Sequence, residues 1–158
     1  MSEPVTIVPF RREHAGMFYR LNRAWLDAHD LYEPADEAQL ADPQGSVIDA
    51  GGAVFIAERA GSVVGTAAVV PHGPGEVELL KITVAEDLRG TGLGRRLVEV
   101  CIARARDMGA HTMMLVSSSR LQPALRLYER MGFTPRPLPS PLPYKTADVC
   151  MELRLRKP

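Results

Sequence analysis

The segment from residue 84 to residue 98 constrains this chain most, because a strand, a glycine-rich turn and a helix follow one another directly. It reads V-A-E-D-L-R-G-T-G-L-G-R-R-L-V. The glycines lack the side chains that would keep an anion away from backbone N–H groups. A helix that starts here points its unsatisfied N–H groups and the positive end of its dipole at the same place. The segment therefore predicts an anion-binding loop, with Arg89, Arg95 and Arg96 adding positive charge around it.

The glycine spacing excludes two common phosphate-binding loops. A dinucleotide fingerprint needs a third glycine where this chain has Arg95, and an acidic residue about 20 residues further on, which is missing here. A P-loop ends in Gly-Lys-Ser/Thr, whereas Gly94 is followed by two arginines. Two interpretations stay open for the loop alone: a site for another phosphate-bearing ligand, or a turn that only caps a helix.

Composition favours one cytoplasmic domain over residues 1–158. The chain has 158 residues, of which 46% are apolar, enough for a core of its own. Its 19 basic and 19 acidic residues cancel, which argues against a nucleic-acid partner. A membrane-spanning run and a leader sequence are both missing, so no membrane partner is expected. Cys101 and Cys150 are interpreted as buried thiols, although a disulfide between them stays open.

Hydrophobic periodicity predicts strands and helices in mixed order. Helices are expected at 13–29, at 37–40, from the glycine loop to Gly109, and at 123–131. Strands are expected at 5–9, 53–59, 63–70, 77–84 and 112–117, from 133 onward, and at 149–155, where the last strand closes the sheet. The helix after the loop is a crossover, so strands 77–84 and 112–117 should be parallel.

Strand 77–84 carries one unexpected carboxylate. Alternation places Glu78 on the same face as Leu80, Ile82 and Val84, and Lys81 on the opposite face. A carboxylate in an otherwise apolar row has either a raised pKa or a partner. Glu78 is therefore either a general base or half of a structural ion pair with Lys81 or an arginine, and the predicted facing of Lys81 argues against the lysine.

Two helices carry polar groups on their inward faces. Tyr128 shares a face with Ala124, Leu127 and Met131, so its ring points inward, and it is either functional or a core tyrosine with a bonded hydroxyl. In the first helix, Asn22 and His29 lie beside the apolar stripe. His29 is interpreted as satisfied by a hydrogen bond, whereas the role of Asn22 stays open.

Several motifs together resemble the GNAT superfamily of N-acetyltransferases, and the resemblance extends over nearly the whole chain. The loop 89–94 resembles its R/Q-x-x-G-x-G/A loop, and A-L-R-L-Y-E-R-M-G-F at 124–133 resembles its A-x-x-L-Y-x-x-x-G-F segment. Residues 78–84, E-L-L-K-I-T-V, are similar to the E-L-x-K-M-x-V run of one subgroup. Residues 144–149, Y-K-T-A-D-V, resemble the Y-x-R-A-D-V segment of the same subgroup.

The resemblance implies a fold and an activity. The fold is the α/β acyl-CoA N-acyltransferase (GNAT) fold, a mixed, mostly antiparallel sheet of about six or seven strands flanked by helices. The activity is transfer of the acetyl group of acetyl-CoA to a primary amine by direct attack, with acetyl-CoA as cosubstrate and no metal. The acceptor is a small-molecule or peptide amine of unknown identity, and a homodimer is left open.

The resemblance also assigns roles to residues. Glu78 accepts the amine's proton, through water, and the Tyr128 hydroxyl protonates the leaving thiolate. Substrate contacts are assigned to Tyr32, Glu33, Tyr144 and Asp148. The coenzyme's pyrophosphate meets the loop and its pantetheine arm meets the edge of strand 77–84. The residues assigned to the coenzyme are Ile82, Thr83, Val84, Arg89, Gly90, Thr91, Gly92, Leu93, Gly94, Arg95, Ser118 and Leu127.

The chain departs from the subgroup at two positions. Ser118 stands where the subgroup often has asparagine, and Thr146 stands where it often has arginine, which argues against an acidic acceptor.

Two alternative functions stay open. Instead of a transferase, the chain would be a non-catalytic acyl-CoA sensor if it bound the coenzyme without turnover. A donor other than acetyl-CoA is the second alternative, because sequence does not measure the room beside the thioester.

Overall fold

The centre of the molecule is one twisted sheet. A computed structural model describes residues 3–155, so the ends of the predicted domain 1–158 lie outside the described residues. The strands are β1 (Thr6–Pro9), β2 (Ala53–Arg59), β3 (Ser62–Pro71), β4 (Glu76–Val84), β5 (Thr112–Ser117), β6 (Thr134–Arg136) and β7 (Val149–Arg154). They pair in the order β1-β2-β3-β4-β5-β7-β6. Only the β4–β5 pair is parallel, as the crossover predicted.

Helices cover both faces of the sheet. They are α1 (Ala15–Ala28), α2 (Pro34–Ala41), α3 (Leu93–Asp107) and α4 (Gln122–Arg130). The neighbouring β3 residues Ala67 and Ala68 belong to different buried clusters, as expected for opposite faces of a strand. One cluster contains the inward residues of α3 and α4, and the other contains those of α1 and α2. The predicted α/β fold, with a mixed and mostly antiparallel sheet of about six or seven strands, is confirmed.

Glycine and burial define α3 as predicted. Gly92 adopts a φ of 90° at the N-terminal cap, and Gly109 adopts a φ of 82° just after the helix, both in the left-handed region that favours glycine. The predicted inward face is buried, apart from a half-buried Met108, and the predicted outward face is exposed. The buried members of that face are Leu97, Val98, Cys101, Ile102 and Ala105.

Three local features differ from the prediction. Helix α2 begins at Pro34 rather than at residue 37. The Asp36 carboxylate accepts the N–H of Glu33 there, and the N–H of Asp36 donates to the backbone carbonyl of Glu33. A short helical turn at Gln44–Ile48 was not predicted. Strand β7 does not close the sheet: β6 is the edge strand, because the proline-rich connection at 137–148 is long enough to return β7 between β5 and β6.

A β-bulge interrupts β4 and overturns the predicted alternation. Thr66 pairs with Thr83 and Ala68 pairs with Leu80, so two residues of β4 stand opposite one residue of β3. Lys81 lies at the bulge in the left-handed backbone region, with a φ of 55°. The prediction that Lys81 lies on the face opposite Glu78 is therefore wrong, since the extra residue returns Lys81 to the α1–α2 side. The prediction that Ile82 and Val84 share the face of Glu78 is wrong for the same reason, because both pack on the α3 side.

Two further sequence-based expectations concern membranes and thiols. Over residues 3–155, no helix is long and apolar enough to cross a membrane. Cys101 and Cys150 are both buried free thiols, as interpreted from the sequence.

Candidate active site

A pocket opens where β4 and β5 separate. The two strands pair at only three positions, ending with Glu78 opposite Met114. Beyond this point they diverge, and a cavity of about 150 Å³ lies between them. It is lined by β4, β5, α1, α4 and the segment 144–147, and it brings Glu78, Tyr128, Ser118 and Tyr144 together. Four of the residues singled out from widely separated motifs thus line one cavity.

In the described part of the chain, the carboxylate of Glu78 lacks a direct partner. Among residues 3–155, no side chain or backbone group forms a hydrogen bond or salt bridge with it. The candidates for an ion pair are engaged elsewhere: Arg136 bonds Glu76 at 2.5 Å, and Lys81 bonds Asp36 at 2.6 Å. Burial raises the pKa of Glu78, and the nearby charges of His72 and Lys81 oppose this only in part.

Tyr128 also lines this pocket. Its side chain is 8% exposed, and its ring lies 5.7 Å from that of Phe133, centroid to centroid. In the described part of the chain no group hydrogen-bonds the hydroxyl, while every fully buried side-chain nitrogen or oxygen there has a partner. The hydroxyl is therefore open to the cavity. Burial, with a smaller contribution from nearby Cys101, raises the pKa of Tyr128 to about 12, so the phenol keeps its proton at neutral pH.

The glycine loop leaves backbone donors free at the start of α3. Gly90 has a φ of 79°, and a Cβ added at Gly90 or Gly92 would meet no atom within 4 Å, so one side of the loop is open. The first backbone bond into α3 runs from the N–H of Arg96 to the carbonyl of Gly92. No side chain caps α3 and no acidic residue lies in its first turn. Within residues 3–155, the N–H groups of 93–95 thus have no acceptor, which fits an anionic phosphate.

The remaining residues assigned to the coenzyme differ in what they can offer. Past Glu78, the β5 side of β4 is unpaired, so Ile82 and Val84 can offer main-chain groups to an added strand. The Thr83 hydroxyl instead bonds Asn22 at 2.8 Å. Leu93 is buried in the α3 cluster, and Leu127 lies 3.5 Å from where a Cβ on Gly94 would stand. Arg89, Thr91 and Arg95 are exposed at the loop.

Of the four residues assigned to the acceptor, one lines the pocket and three form hydrogen bonds to other segments of the chain. Tyr144 lines the pocket and donates its hydroxyl to Gln39 at 3.2 Å. Asp148 accepts hydrogen bonds from Ser119, which lower its pKa. Tyr32 lies outside the pocket lining and donates its hydroxyl to Glu37.

Glu33 fastens one wall of the pocket. Its carboxylate accepts bonds from the N–H of Lys145 at 2.6 Å and from both the N–H and the hydroxyl of Thr146, at 3.1 and 2.6 Å. Burial raises the pKa of Glu33, but these three bonds outweigh that effect and the net shift is downward. Glu33 thereby holds the segment 144–147 against the start of α2.

Sequence reasoning left the role of Asn22 open, and it proves to organise the bulge. Its amide donates to the carbonyl of Phe18 at 3.0 Å and to the hydroxyl of Thr66 at 3.1 Å. The Thr66 hydroxyl donates in turn to the carbonyl of Lys81 at 2.8 Å. The signal in the sequence was a buried amide in an apolar helix stripe, but its partners in β3 and β4 are distant in sequence.

Asp36 was missed as a residue of the pocket. It is 3% exposed, lines the cavity and pairs with Lys81. The available signal was the Glu33-x-x-Asp36 capping pattern at the start of α2, which identifies a helix end but not a pocket.

Comparisons with known proteins give a consistent result. The Acetyltransferase (GNAT) family matches residues 15–133. N-acetyltransferase family 8 member 2 of Rattus norvegicus is 32% identical over 114 residues, which is 69% of this chain and 50% of the rat protein. The chain spans about half the length of the curated relatives it matches.

Solved structures share the fold. An acetyltransferase of the GNAT family from Staphylococcus aureus Mu50 superposes with a TM-score of 0.89 at 17% identity, covering 97% of this chain and 100% of that one. The structure of yncA from Salmonella typhimurium with its cofactor acetyl-CoA gives a TM-score of 0.74 at 23% identity, covering 98% and 95%.

Proposed function

Because this chain belongs to the GNAT family of acetyltransferases, we propose that it transfers the acetyl group of acetyl-CoA to a primary amine by direct attack of the amine. One observation carries the proposal: Glu78 and Tyr128, whose carboxylate and phenol have no bonding partner among residues 3–155, line the same cavity between the diverging strands β4 and β5. Acetyl transfer from a thioester to an amine needs an acceptor for the amine's proton and a donor for the sulfur. The pocket offers one group of each kind.

The residues around the loop fit coenzyme A. The free N–H groups at 93–95 bind the pyrophosphate, and Arg89 and Arg95 add positive charge. The open edge of β4 at 82–84 binds the pantetheine amides as an added strand would, beside Ser118 and Leu127. Bound acetyl-CoA supplies an activated acetyl thioester. The Salmonella protein with this fold, whose structure contains acetyl-CoA, supports the choice of coenzyme.

Glu78 acts as the general base. An amine with a pKa of about 10.4 is only about one part in a thousand neutral at pH 7, so it must lose a proton to react. The amine nitrogen bonds to the acetyl carbon as the carbon–sulfur bond breaks, and its proton passes through water to Glu78. The raised pKa of Glu78 makes it a stronger base than an exposed glutamate.

Tyr128 acts on the sulfur chiefly as a hydrogen-bond donor. With its pKa raised to about 12, complete proton transfer to a thiolate of pKa about 8.5 is uphill by roughly 5 kcal/mol. A hydrogen bond to the charge that develops on sulfur is worth about 1.5 to 3 kcal/mol and needs no such transfer. The thiolate then leaves and takes its proton from water, while Tyr128 keeps its own.

We further propose that residues 1–158 form one acetyltransferase domain that acts in the cytoplasm without a metal ion. The two buried free thiols are consistent with a reducing compartment. The balanced charge is consistent with an amine as the partner rather than a nucleic acid.

The test is a thiol-release assay with acetyl-CoA and a panel of amines, combined with calorimetry of acetyl-CoA binding and mass spectrometry of the products. We expect amine-dependent release of coenzyme A and an acetylated amine. Binding of acetyl-CoA without turnover of any amine would instead support the sensor function. Faster turnover with a longer acyl-CoA would replace acetyl-CoA as the donor.

A further inference from the structure

The charges inside the pocket identify a class of acceptor. We propose that the acceptor is a primary amine with an apolar body and no carboxylate beside the amine. This inference rests on the proposed function and goes beyond it, because the family resemblance leaves the acceptor open.

The pocket has few charged groups. Of the described residues that line it, only Asp36, Glu78 and Lys81 carry charged side chains. The arginines near this end of the sheet are used elsewhere: Arg136 bonds Glu76 and Arg120 donates to the carbonyl of Asp30. Inside the pocket lining, recognition of an anionic group on the acceptor would therefore fall to Lys81.

Lys81 is already engaged. Its ammonium lies 2.6 Å from Asp36, and the two side chains are only 10% and 4% exposed. The other Asp36 oxygen accepts the N–H of Glu33 at 2.9 Å, so the carboxylate is fixed as the cap of α2. Breaking one partner out of a buried ion pair leaves an uncompensated charge, which is strongly unfavourable. Lys81 is thus not a free site for an incoming carboxylate.

The charge that remains is negative. Because the charges of Lys81 and Asp36 cancel, the carboxylate of Glu78 determines the sign of the net charge in the pocket. An ammonium group is attracted to it. A carboxylate on the atom next to the amine would be repelled by Glu78, and the basic groups nearby are already paired, Lys81 with Asp36 and His72 with Glu76. An α-amino acid therefore fits the pocket poorly, but the same molecule without its carboxylate fits.

The side chains on the pocket walls favour an acceptor with an apolar body. Trp25, Leu26, Leu31, Leu80 and Leu121 line the pocket on the α1–α2 side and at the start of α4. Tyr144 adds an aromatic ring whose hydroxyl is bonded to Gln39. The cavity of about 150 Å³ favours a small acceptor.

Matched acceptors test the proposal on the unmodified protein. Phenylalanine and phenethylamine have amines of similar basicity and differ by the carboxylate beside the amine, and phenylalaninamide keeps the shape of phenylalanine without that charge. With saturating acetyl-CoA, we expect kcat/KM for phenylalanine to be at least tenfold below that for phenethylamine, and phenylalaninamide to be acetylated. A difference smaller than tenfold overturns the proposal.

A variant tests the role of the ion pair. Asp36→Asn frees Lys81 while leaving an oxygen to cap α2, so the ratio of kcat/KM for phenylalanine over phenylalaninamide should rise at least fivefold. Glu37→Gln, on the same helix but outside the pocket lining, should leave that ratio unchanged. A smaller rise in folded Asp36→Asn contradicts the assignment, and if thermal melting shows that this variant does not fold, the comparison on the unmodified protein decides alone.

The outcomes separate this inference from the proposed function. If acetyl-CoA does not bind, the proposed function fails. If acetyl-CoA binds and amines that carry a carboxylate are acetylated instead, the proposed function stands and the acceptor class is wrong. If it binds and neither carboxylate-free amine is acetylated, the acceptor class is likewise overturned.

Discussion

Lys81 and Asp36 form a buried ion pair, with the ammonium 2.6 Å from the carboxylate, and this pair removes Lys81 as a partner of Glu78. The bulge in β4 places Lys81 on the same side of the sheet as Glu78, where the sequence pattern did not expect it. Even so, Lys81 is held by α2, and Arg136 is held by Glu76. Of the two interpretations open for Glu78, the structural ion pair is therefore not formed within residues 3–155, and the general base remains as the proposal.

The pH dependence of turnover should report the ionisation of Glu78. The base accepts a proton only when ionised, so kcat should fall as the pH is lowered through its pKa. Because burial raises that pKa above the ordinary value of 4.5, the fall should be centred above pH 4.5. A pH profile of kcat at saturating substrates measures this, and Glu78→Gln should lack the same limb. An identical limb in that variant would assign the titration to another group.

Glu78→Gln should change the free energy of unfolding in the direction opposite to the substitution of a typical paired carboxylate. A raised pKa means that the folded state favours the protonated form, so the contribution of Glu78 to stability is present below pH 4.5 and is lost as the pH rises through its folded pKa. The variant should therefore unfold at a higher urea concentration than the unmodified protein at pH 7, with the gain vanishing near pH 4.

Glu76→Gln is the control for that comparison. The bonds from Arg136, and then from His72, lower the pKa of Glu76, so its stabilisation is present above pH 4.5 and is lost as the pH falls. Glu76→Gln should destabilise the protein at pH 7. A loss of stability at pH 7 in both variants would show that Glu78 has a stabilising partner in solution.

Removing the hydroxyl of Tyr128 should affect rate and not stability. The hydroxyl makes no bond within the described residues, so Tyr128→Phe should keep the urea midpoint within error. Loss of a hydrogen bond to charged sulfur costs about 1.5 to 3 kcal/mol, which lowers kcat roughly 10- to 100-fold. Tyr19→Phe is the control, because it loses bonds to Glu37 and about 1 kcal/mol of stability, with kcat unchanged. An unchanged kcat in Tyr128→Phe would remove Tyr128 from the mechanism.

The glycine loop can be tested by two alanine substitutions at the two ends of α3. Gly92 and Gly109 have φ of 90° and 82°, and an added Cβ has open space at both. Each substitution should cost about 1 to 2 kcal/mol of stability from the left-handed backbone. Only Gly92→Ala should weaken acetyl-CoA binding, by roughly tenfold or more, measured by calorimetry. Equal affinities in the two variants would place the pyrophosphate elsewhere.

Local patterns predicted much of this molecule. The glycines around α3 and its apolar face follow from backbone conformation and from the helix period, and both depend on residues close in sequence. The parallel pairing of β4 and β5 follows from the crossover rule. Tyr128 and Glu78 could be singled out because the sequence pattern places each as a polar group among apolar residues, although the bulge removes Ile82 and Val84 from the face of Glu78.

The features that could not be predicted depend on contacts between distant segments. The bulge at Lys81 is held by Thr66 and Asn22, which lie in β3 and α1. The pair between Asp36 and Lys81 exists only because of that bulge. Likewise, the position of β7 between β5 and β6 is decided by pairing across the sheet and not by the pattern of β7 itself.

The most direct test of the account is kcat for acetyl transfer in Glu78→Gln, measured beside Glu76→Gln with an amine that the unmodified protein acetylates. General-base removal typically lowers a rate by about 10² to 10⁴-fold, so we predict a loss of at least roughly 100-fold in Glu78→Gln, with acetyl-CoA affinity retained. Glu76→Gln should turn over close to the unmodified rate at a temperature where it is folded. Equal turnover in the two variants would contradict the assignment of Glu78 as the base.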